Sequence, residues 1–314
     1  MLYGMTNPHG GDIYGGDVRL DFSANTNPFG TPPGVLEAVN RALPDMHRYP
    51  DPYCRRLVEK IAAFAGVNRD YILCGNGAAE LIYAYCGAVR PKTALEPAPT
   101  FSEYALGLAQ VGCRVKPYYL TPDRDFALDS HFPDYLTEIL PEAVFLCNPN
   151  NPTGMLTPPA VLKGILDVCR ENRIRLFVDE CFLDLSDNGQ SMKGYLAEYP
   201  NLFILKAFTK SYGMAGIRLG YCLCSDRELL KAMSRTVQPW NVSGLAQAAG
   251  LAALDEGDFL AKTKALIQTE RPWLKEKLEA FGFRVFPSQV NYLLFQGPQT
   301  LHRDLKARGI AIRN

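Results

Sequence analysis

Apolar residues arrive in short, nearly unbroken runs, each followed by polar turn-forming residues. Ala143-Val144-Phe145-Leu146-Cys147 ends in Asn148-Pro149-Asn150-Asn151-Pro152-Thr153-Gly154. Ile174 to Val178 ends in Asp179-Glu180, Leu202 to Leu205 precedes Thr209-Lys210, and Leu219 to Cys224 forms a fourth run. Tyr71 to Cys74 runs into Gly75-Asn76-Gly77, with a helix expected from Ala78 onward. Between the first two runs, Val161, Leu162, Ile165, Leu166 and Val168 recur at helical spacing within Pro158 to Glu171. Continuous apolar strands alternating with helices predict an α/β fold with a parallel sheet covered on both faces. The polar residues fall at the strands' carboxyl ends, where open α/β sheets bind ligands.

Both ends of the chain read differently. The first forty residues are rich in Gly, Pro and Asn (His9-Gly10-Gly11, Asn25 to Pro28, Pro32-Pro33-Gly34), which predicts an extended arm with turns. Beyond about residue 245 an interrupted helical stretch runs from Leu245 to about Leu278. A strand from Arg284 to Phe295, a helix near Leu301 to Arg308 and a strand Ile310 to Ile312 are expected after it. The organisation expected is an N-terminal arm (1–30), a large domain (31–245) and a smaller C-terminal α/β domain (246–314). There are no internal repeats.

Composition narrows the function classes. With 47% hydrophobic and 21% charged residues the chain is globular in type, and 314 residues suffice for two domains. Its 33 basic and 33 acidic side chains balance, leaving no electrostatic footprint for nucleic acid or an anionic membrane. No run of 18 apolar residues exists, and Met1-Leu2-Tyr3-Gly4 does not open like a signal peptide. Most of the nine cysteines, such as Cys74, Cys86, Cys147 and Cys169, sit in apolar runs, which favours buried reduced thiols over a disulfide scaffold. Cys222 and Cys224 share one strand-like run, and His9, His47, His131 and His302 lack metal-ligand spacing, so no metal is expected. A cytoplasmic location is the expectation.

The candidate chemistry lies in the polar turns. Asp179 and Lys210 each follow an expected strand; taken singly they are a strand-end aspartate and a surface lysine. Arg218, set between glycines in Ser211-Tyr212-Gly213-Met214-Ala215-Gly216-Ile217-Arg218-Leu219-Gly220, suits a bidentate grip on a phosphate. Gly75-Asn76-Gly77-Ala78-Ala79-Glu80 places backbone amides at a helix N-terminus, a ready anion site. A GxG turn alone is more often a tight connection.

The string from Thr209-Lys210 to Gly220 resembles the signature of the fold-type-I pyridoxal-phosphate (PLP) aminotransferases, and nearly the whole chain is similar to that superfamily. The resemblance implies PLP as cofactor, with Lys210 carrying it as a Schiff base and Asp179 pairing with the ring nitrogen. It implies that Gly77, Ala78, Ala79, Thr209 and Arg218 receive the phosphate, and that Phe101 in Pro99-Thr100-Phe101 stacks on the ring. Asn151 matches the asparagine of the NPxG loop, which bonds the ring oxygen and approaches the substrate carboxylate. Tyr49, in Arg48-Tyr49-Pro50-Asp51, matches a tyrosine sent into the neighbouring subunit's site, which implies a homodimer. Two positions depart from the pattern. Phe182 stands where relatives often have a tyrosine, and Ala207 stands where many have Ser or Thr.

Within the superfamily the chain resembles the histidinol-phosphate aminotransferase branch and its relative, threonine-phosphate decarboxylase of cobalamin biosynthesis. His9-Gly10-Gly11-Asp12, the segment Asp21 to Gly30, Phe182 and Pro239-Trp240-Asn241-Val242 favour the decarboxylase. The expected reaction is conversion of L-threonine O-3-phosphate to (R)-1-amino-2-propanol O-2-phosphate. Histidinol-phosphate transamination is the alternative. His9, Ser23, Asn25, Asn151 and Arg313 are the expected substrate contacts. In relatives the chain continues past the segment matching Ile310 to Asn314 and supplies a second arginine. A PLP-binding protein with little turnover is therefore a further alternative.

Overall fold

The computed structural model describes residues 9–314. The opening Met1-Leu2-Tyr3-Gly4 and the rest of the first eight arm residues lie outside the described residues. In chain order the strands are β1 (Leu20–Asp21), β2 (Ile72–Gly75), β3 (Thr93–Ala98), β4 (Arg114–Tyr119), β5 (Ala143–Cys147), β6 (Arg175–Asp179), β7 (Leu202–Ala207), β8 (Gly220–Cys224), β9 (Arg284–Val285), β10 (Phe295–Gln296) and β11 (Ile310–Ala311). Seven of them form one sheet in the order β2-β8-β7-β6-β5-β3-β4. Its pairs are parallel except around β8, which runs against both β2 and β7. The apolar pattern alone places β8 in a parallel sheet. Between β7 and β8, however, stands only a four-residue helix, Phe208–Ser211, and a short turn of 3-10 helix. A parallel return needs a full crossover, so the chain folds straight back.

Strand pleating sorts the apolar runs onto two faces. Val144, Leu146, Leu176, Val178 and Ile204 face one core, under the helices Arg55–Ala65, Phe132–Ile139, Pro159–Glu171 and Gly244–Ala253. Phe145, Phe177, Phe203 and Leu205 face the other, under Ala78–Val89, Glu103–Gln110 and Arg227–Ser234. There Phe145, Phe177 and Phe203 stack in register across three strands, with centroids 4.7 and 4.9 Å apart, and Tyr85 closes edge-on over the ladder. Burial on both faces explains why these strands read as unbroken apolar runs rather than as alternation. All nine cysteines are free thiols, eight of them buried. Among the described residues no helix is long and apolar enough to cross a membrane, and no group of side chains is arranged to hold a metal ion.

Two expectations are corrected. The first forty residues are not extended throughout: Pro33–Ala42 is a helix, its proline in the first turn where a missing N–H costs nothing, and it packs on Gly244–Ala253. Arg284 to Phe295 is not one strand. Only β9 and β10 pair, antiparallel, while Pro287 to Tyr292 leaves the ladder. Gln289 there donates its N–H to the Gly154 carbonyl and its side-chain Oε1 accepts from the Leu156 N–H, so the N–H a strand would use goes to the loop after β5. The interrupted helical stretch resolves into Gly244–Ala253 and Phe259–Ala280, and the last helix is Leu301–Lys306. β1 pairs parallel with β11, tying the arm to the end of the chain.

Candidate active site

The carboxyl ends of β5, β6 and β7 deliver the Asn loop, Asp179 and the Lys210 turn to one place. Asp179 closes β6 and is only 6% exposed. Its Oδ2 accepts from the Tyr104 hydroxyl at 2.7 Å and its Oδ1 from the Cys181 N–H at 2.8 Å. Burial raises the Asp179 pKa, against the pull of these two hydrogen bonds and of Lys206. Lys210 rides the short helix after β7, its Nζ 5.4 Å from the Phe182 ring centroid. It makes no hydrogen bond or ion pair with another described residue. Burial, with Arg313 and Arg218 nearby, holds its ammonium below the usual lysine range, although Cys181 and Asp179 pull the other way.

The turn between β2 and the helix Ala78–Val89 forms a cradle beside Arg218. Gly77 adopts φ +85°, and a Cβ built there would lie 2.6 Å from Arg218 Nη2. A Cβ on Gly220 would lie 2.6 Å from the Ala78 nitrogen, so both glycines are required by close approach. Ala78 and Ala79 begin the helix, Thr209 precedes the lysine, and Arg218 donates to the Ala215 carbonyl at 3.1 Å. Gly77, the first turn of the helix and the Arg218 guanidinium thus stand together, an arrangement that suits an anion.

Phe101 lies tilted against His9 (5.6 Å) and edge-on to Tyr104 (5.6 Å). His9 Nε2 lies 2.6 Å from Glu103 Oε1, and Tyr83 donates to Glu103 Oε2 at 2.7 Å. Burial and this carboxylate push the Tyr83 phenol up to about 12. Ser23 accepts from the Gly11 N–H at 2.8 Å and donates to Asp21, which pairs in β1 with Ala311 of β11. Arg313 follows β11, exposed and without a hydrogen bond or ion pair among the described residues, its pKa lowered by partial desolvation. The carbonyls of Asn25 and Thr26 are held by Asn291. Asn151 is buried in the loop after β5, and its side-chain amide has no hydrogen-bond partner among the described residues. Tyr49 stands apart: it is 80% exposed and stacks on Trp240 at 4.5 Å.

Two residues of this site escape sequence reasoning. Tyr104 reads as a core aromatic in the first turn of the helix Glu103–Gln110, three residues after Phe101. Tyr292 lies edge-on to Phe182 (4.9 Å), beside the position where the phenol of relatives is missing. Nothing in its local sequence marks it.

The family described as aminotransferase class I and II matches residues 18–314. A threonine-phosphate decarboxylase of Salmonella typhimurium is 34% identical over 309 residues, 95% of this chain and 83% of that protein. A histidinol-phosphate aminotransferase of Desulfitobacterium hafniense is 36% identical over 312 residues, 94% of this chain and 82% of the relative. Among solved structures, the histidinol-phosphate aminotransferase of Sinorhizobium meliloti in complex with pyridoxal-5'-phosphate superposes with a TM-score of 0.83 at 24% identity, covering 92% of this chain and 80% of that one.

Proposed function

The chain belongs to the class I and II aminotransferase family, and we propose that it decarboxylates L-threonine O-3-phosphate to (R)-1-amino-2-propanol O-2-phosphate, a step of cobalamin biosynthesis. The cofactor is pyridoxal 5'-phosphate, and the pocket fits it on its own terms. Lys210 offers an amine with no hydrogen bond or ion pair among the described residues, and with a lowered pKa. Asp179 is a buried carboxylate whose charge a protonated ring nitrogen would compensate. Gly77 leaves open, beside Arg218, the space that any side chain would fill. Gly77, Ala78, Ala79, Thr209 and Arg218 would hold the phosphate, Phe101 one face of the ring, and Asn151 the ring oxygen.

When bound, the cofactor draws electrons from the substrate's α-carbon. The protein decides which group leaves that carbon by how it seats the substrate's two anionic ends. Asn151 would hold the carboxylate, and Arg313, with His9, Ser23 and Asn25, would hold the phosphate end. Loss of carbon dioxide leaves an electron pair on the α-carbon, and Lys210 returns a proton to it. The observation that carries the decarboxylase reading is the wall in which the His9-Gly10-Gly11 arm, fastened through Ser23 and Asp21, meets the strand leading to Arg313.

The enzyme is proposed to act as a homodimer in which Tyr49 reaches the partner's cofactor phosphate. Support comes from the exposure of Tyr49 on its Trp240 platform, a pair of large aromatics facing outward. The 36% identical aminotransferase supports histidinol-phosphate transamination as the second reading.

The test supplies threonine phosphate to the purified holoenzyme without any keto acid. Release of carbon dioxide with the cofactor spectrum unchanged is expected. Conversion of histidinol phosphate only when 2-oxoglutarate is present would replace this reading by the second.

A further inference from the structure

We infer that Tyr292 is a positioning residue for Asn151, acting through the peptide that joins Asn150 to Asn151. This rests on the reading of the pocket as the cofactor site and adds to it a residue from the far end of the chain. The Tyr292 hydroxyl donates to the Asn150 carbonyl at 2.9 Å, and the Gly154 N–H supplies that oxygen's other bond at 2.7 Å. The remaining groups of Asn150 are committed within the large domain. Its Nδ2 donates to Pro99 and Thr153, its Oδ1 accepts from Thr100, and its N–H bonds the Met155 carbonyl. Tyr292 is therefore the residue of the 287–292 segment that bonds the Asn150–Asn151 peptide itself and sets its plane.

That plane matters because the Asn151 side chain has no hydrogen bond to hold it among the described residues. Its direction follows from its backbone. The same Tyr292 ring meets Phe182 edge-on at 4.9 Å, and Lys210 Nζ lies 5.4 Å from the Phe182 centroid. One side chain thus touches the asparagine's peptide and the ring nearest the lysine. Its neighbours extend the grip: Gln289 bonds Gly154 and Leu156, and Asn291 holds the Asn25 and Thr26 carbonyls. The Pro287 to Tyr292 excursion fastens the Asn loop and the arm together. This explains why the segment leaves the β9–β10 ladder.

The test is a pH titration of the bound cofactor's absorbance in resting holoenzyme, for the wild type, Tyr292→Phe, Asn151→Ala and the double variant. An amide donating to the ring oxygen favours its anionic form and holds the midpoint down. Tyr292→Phe keeps the ring and removes one neutral hydrogen bond, so the midpoint should rise by roughly 0.3 to 1 pH unit. Asn151→Ala should raise it further, and the double variant should match Asn151→Ala alone, because Tyr292 acts only through Asn151. An unchanged midpoint in Tyr292→Phe, or shifts that add in the double variant, would overturn the inference while leaving the cofactor site standing. A wild-type protein that takes up no pyridoxal phosphate would overturn both.

Discussion

Tyr104 and Asp179 form a hydrogen bond of 2.7 Å in which the phenol is fully buried and the carboxylate nearly so. Burial raises the Asp179 pKa, and the phenol is one of the groups opposing the rise. Tyr104→Phe removes the donor without changing the packing against Phe101, Phe145 and Phe177. The Asp179 pKa should then climb further. In the proposed site an ionised Asp179 would hold the ring nitrogen protonated, so the acidic limb of the kcat/KM profile should move to higher pH. A hydrogen bond to a charged group is worth about 1.5–3 kcal/mol, which corresponds to a shift of about 1–2 pH units. The pH–rate profile checks this; a limb that stays in place would show that Tyr104 only fills space.

Gly77→Ala should damage cofactor binding more than folding. At φ +85° an alanine is strained by about 1–3 kcal/mol, and its methyl would stand 2.6 Å from Arg218 Nη2. The guanidinium must move off the turn, taking one ligand away from the phosphate. Equilibrium titration with pyridoxal phosphate should show affinity reduced by roughly tenfold or more, the equivalent of losing one charged hydrogen bond. Unchanged affinity would remove Gly77 and Arg218 from the phosphate site.

The dimer proposal is tested by complementation. Lys210→Ala protomers retain Tyr49, and Tyr49→Ala protomers retain Lys210. Mixed and reassociated, they should produce heterodimers in which one site has both residues, and turnover should exceed that of either parent. Were Tyr49 to serve its own subunit's site, mixing would restore nothing.

The sheet and the lysine–aspartate pair are legible in the sequence because their signals are local. A strand buried on both faces must be apolar throughout, and a residue placed after such a strand lies at the ligand-binding edge. Asp179, Lys210, Asn151 and Gly77 can all be placed that way. Tyr104 and Tyr292 cannot, since their bonds reach across 75 and 142 residues and each reads locally as an ordinary core aromatic. The antiparallel β8 is hidden for a related reason: full burial gives parallel and antiparallel strands the same composition, and only the shortness of the connection separates them. Arg284 to Phe295 misleads because its β-prone residues are real, but their hydrogen bonds go to the loop after β5.

On β7, Lys206 is buried beside two carboxylates. Its Nζ donates to Asp184 at 2.7 Å and lies 3.9 Å from Glu180 Oε2, an oxygen with no hydrogen-bond partner among the described residues. Burial alone would lower the Lys206 pKa, but Asp184 and Glu180 carry it upward. For Glu180 burial raises the pKa and Lys206 opposes that rise. Lys206→Met keeps much of the volume and leaves the carboxylates uncompensated, so it should cost about 3–5 kcal/mol at neutral pH. The pH dependence has a fixed sign. Without the lysine, the folded pKa of Glu180 lies still further above its unfolded value, so the folded form binds a proton that the unfolded chain releases. The unfolded chains titrate alike, so the penalty is small below the folded pKa of Glu180 in the wild type, itself raised, grows as pH rises from there to the folded pKa in the variant, and is constant above it. Thermal denaturation of wild type and variant from about pH 8 down to about pH 5 should show the gap in melting temperature closing toward the acid end. A gap that stays constant would mean that the cost comes from lost packing around the Lys206 stem and not from the stranded charge of Glu180.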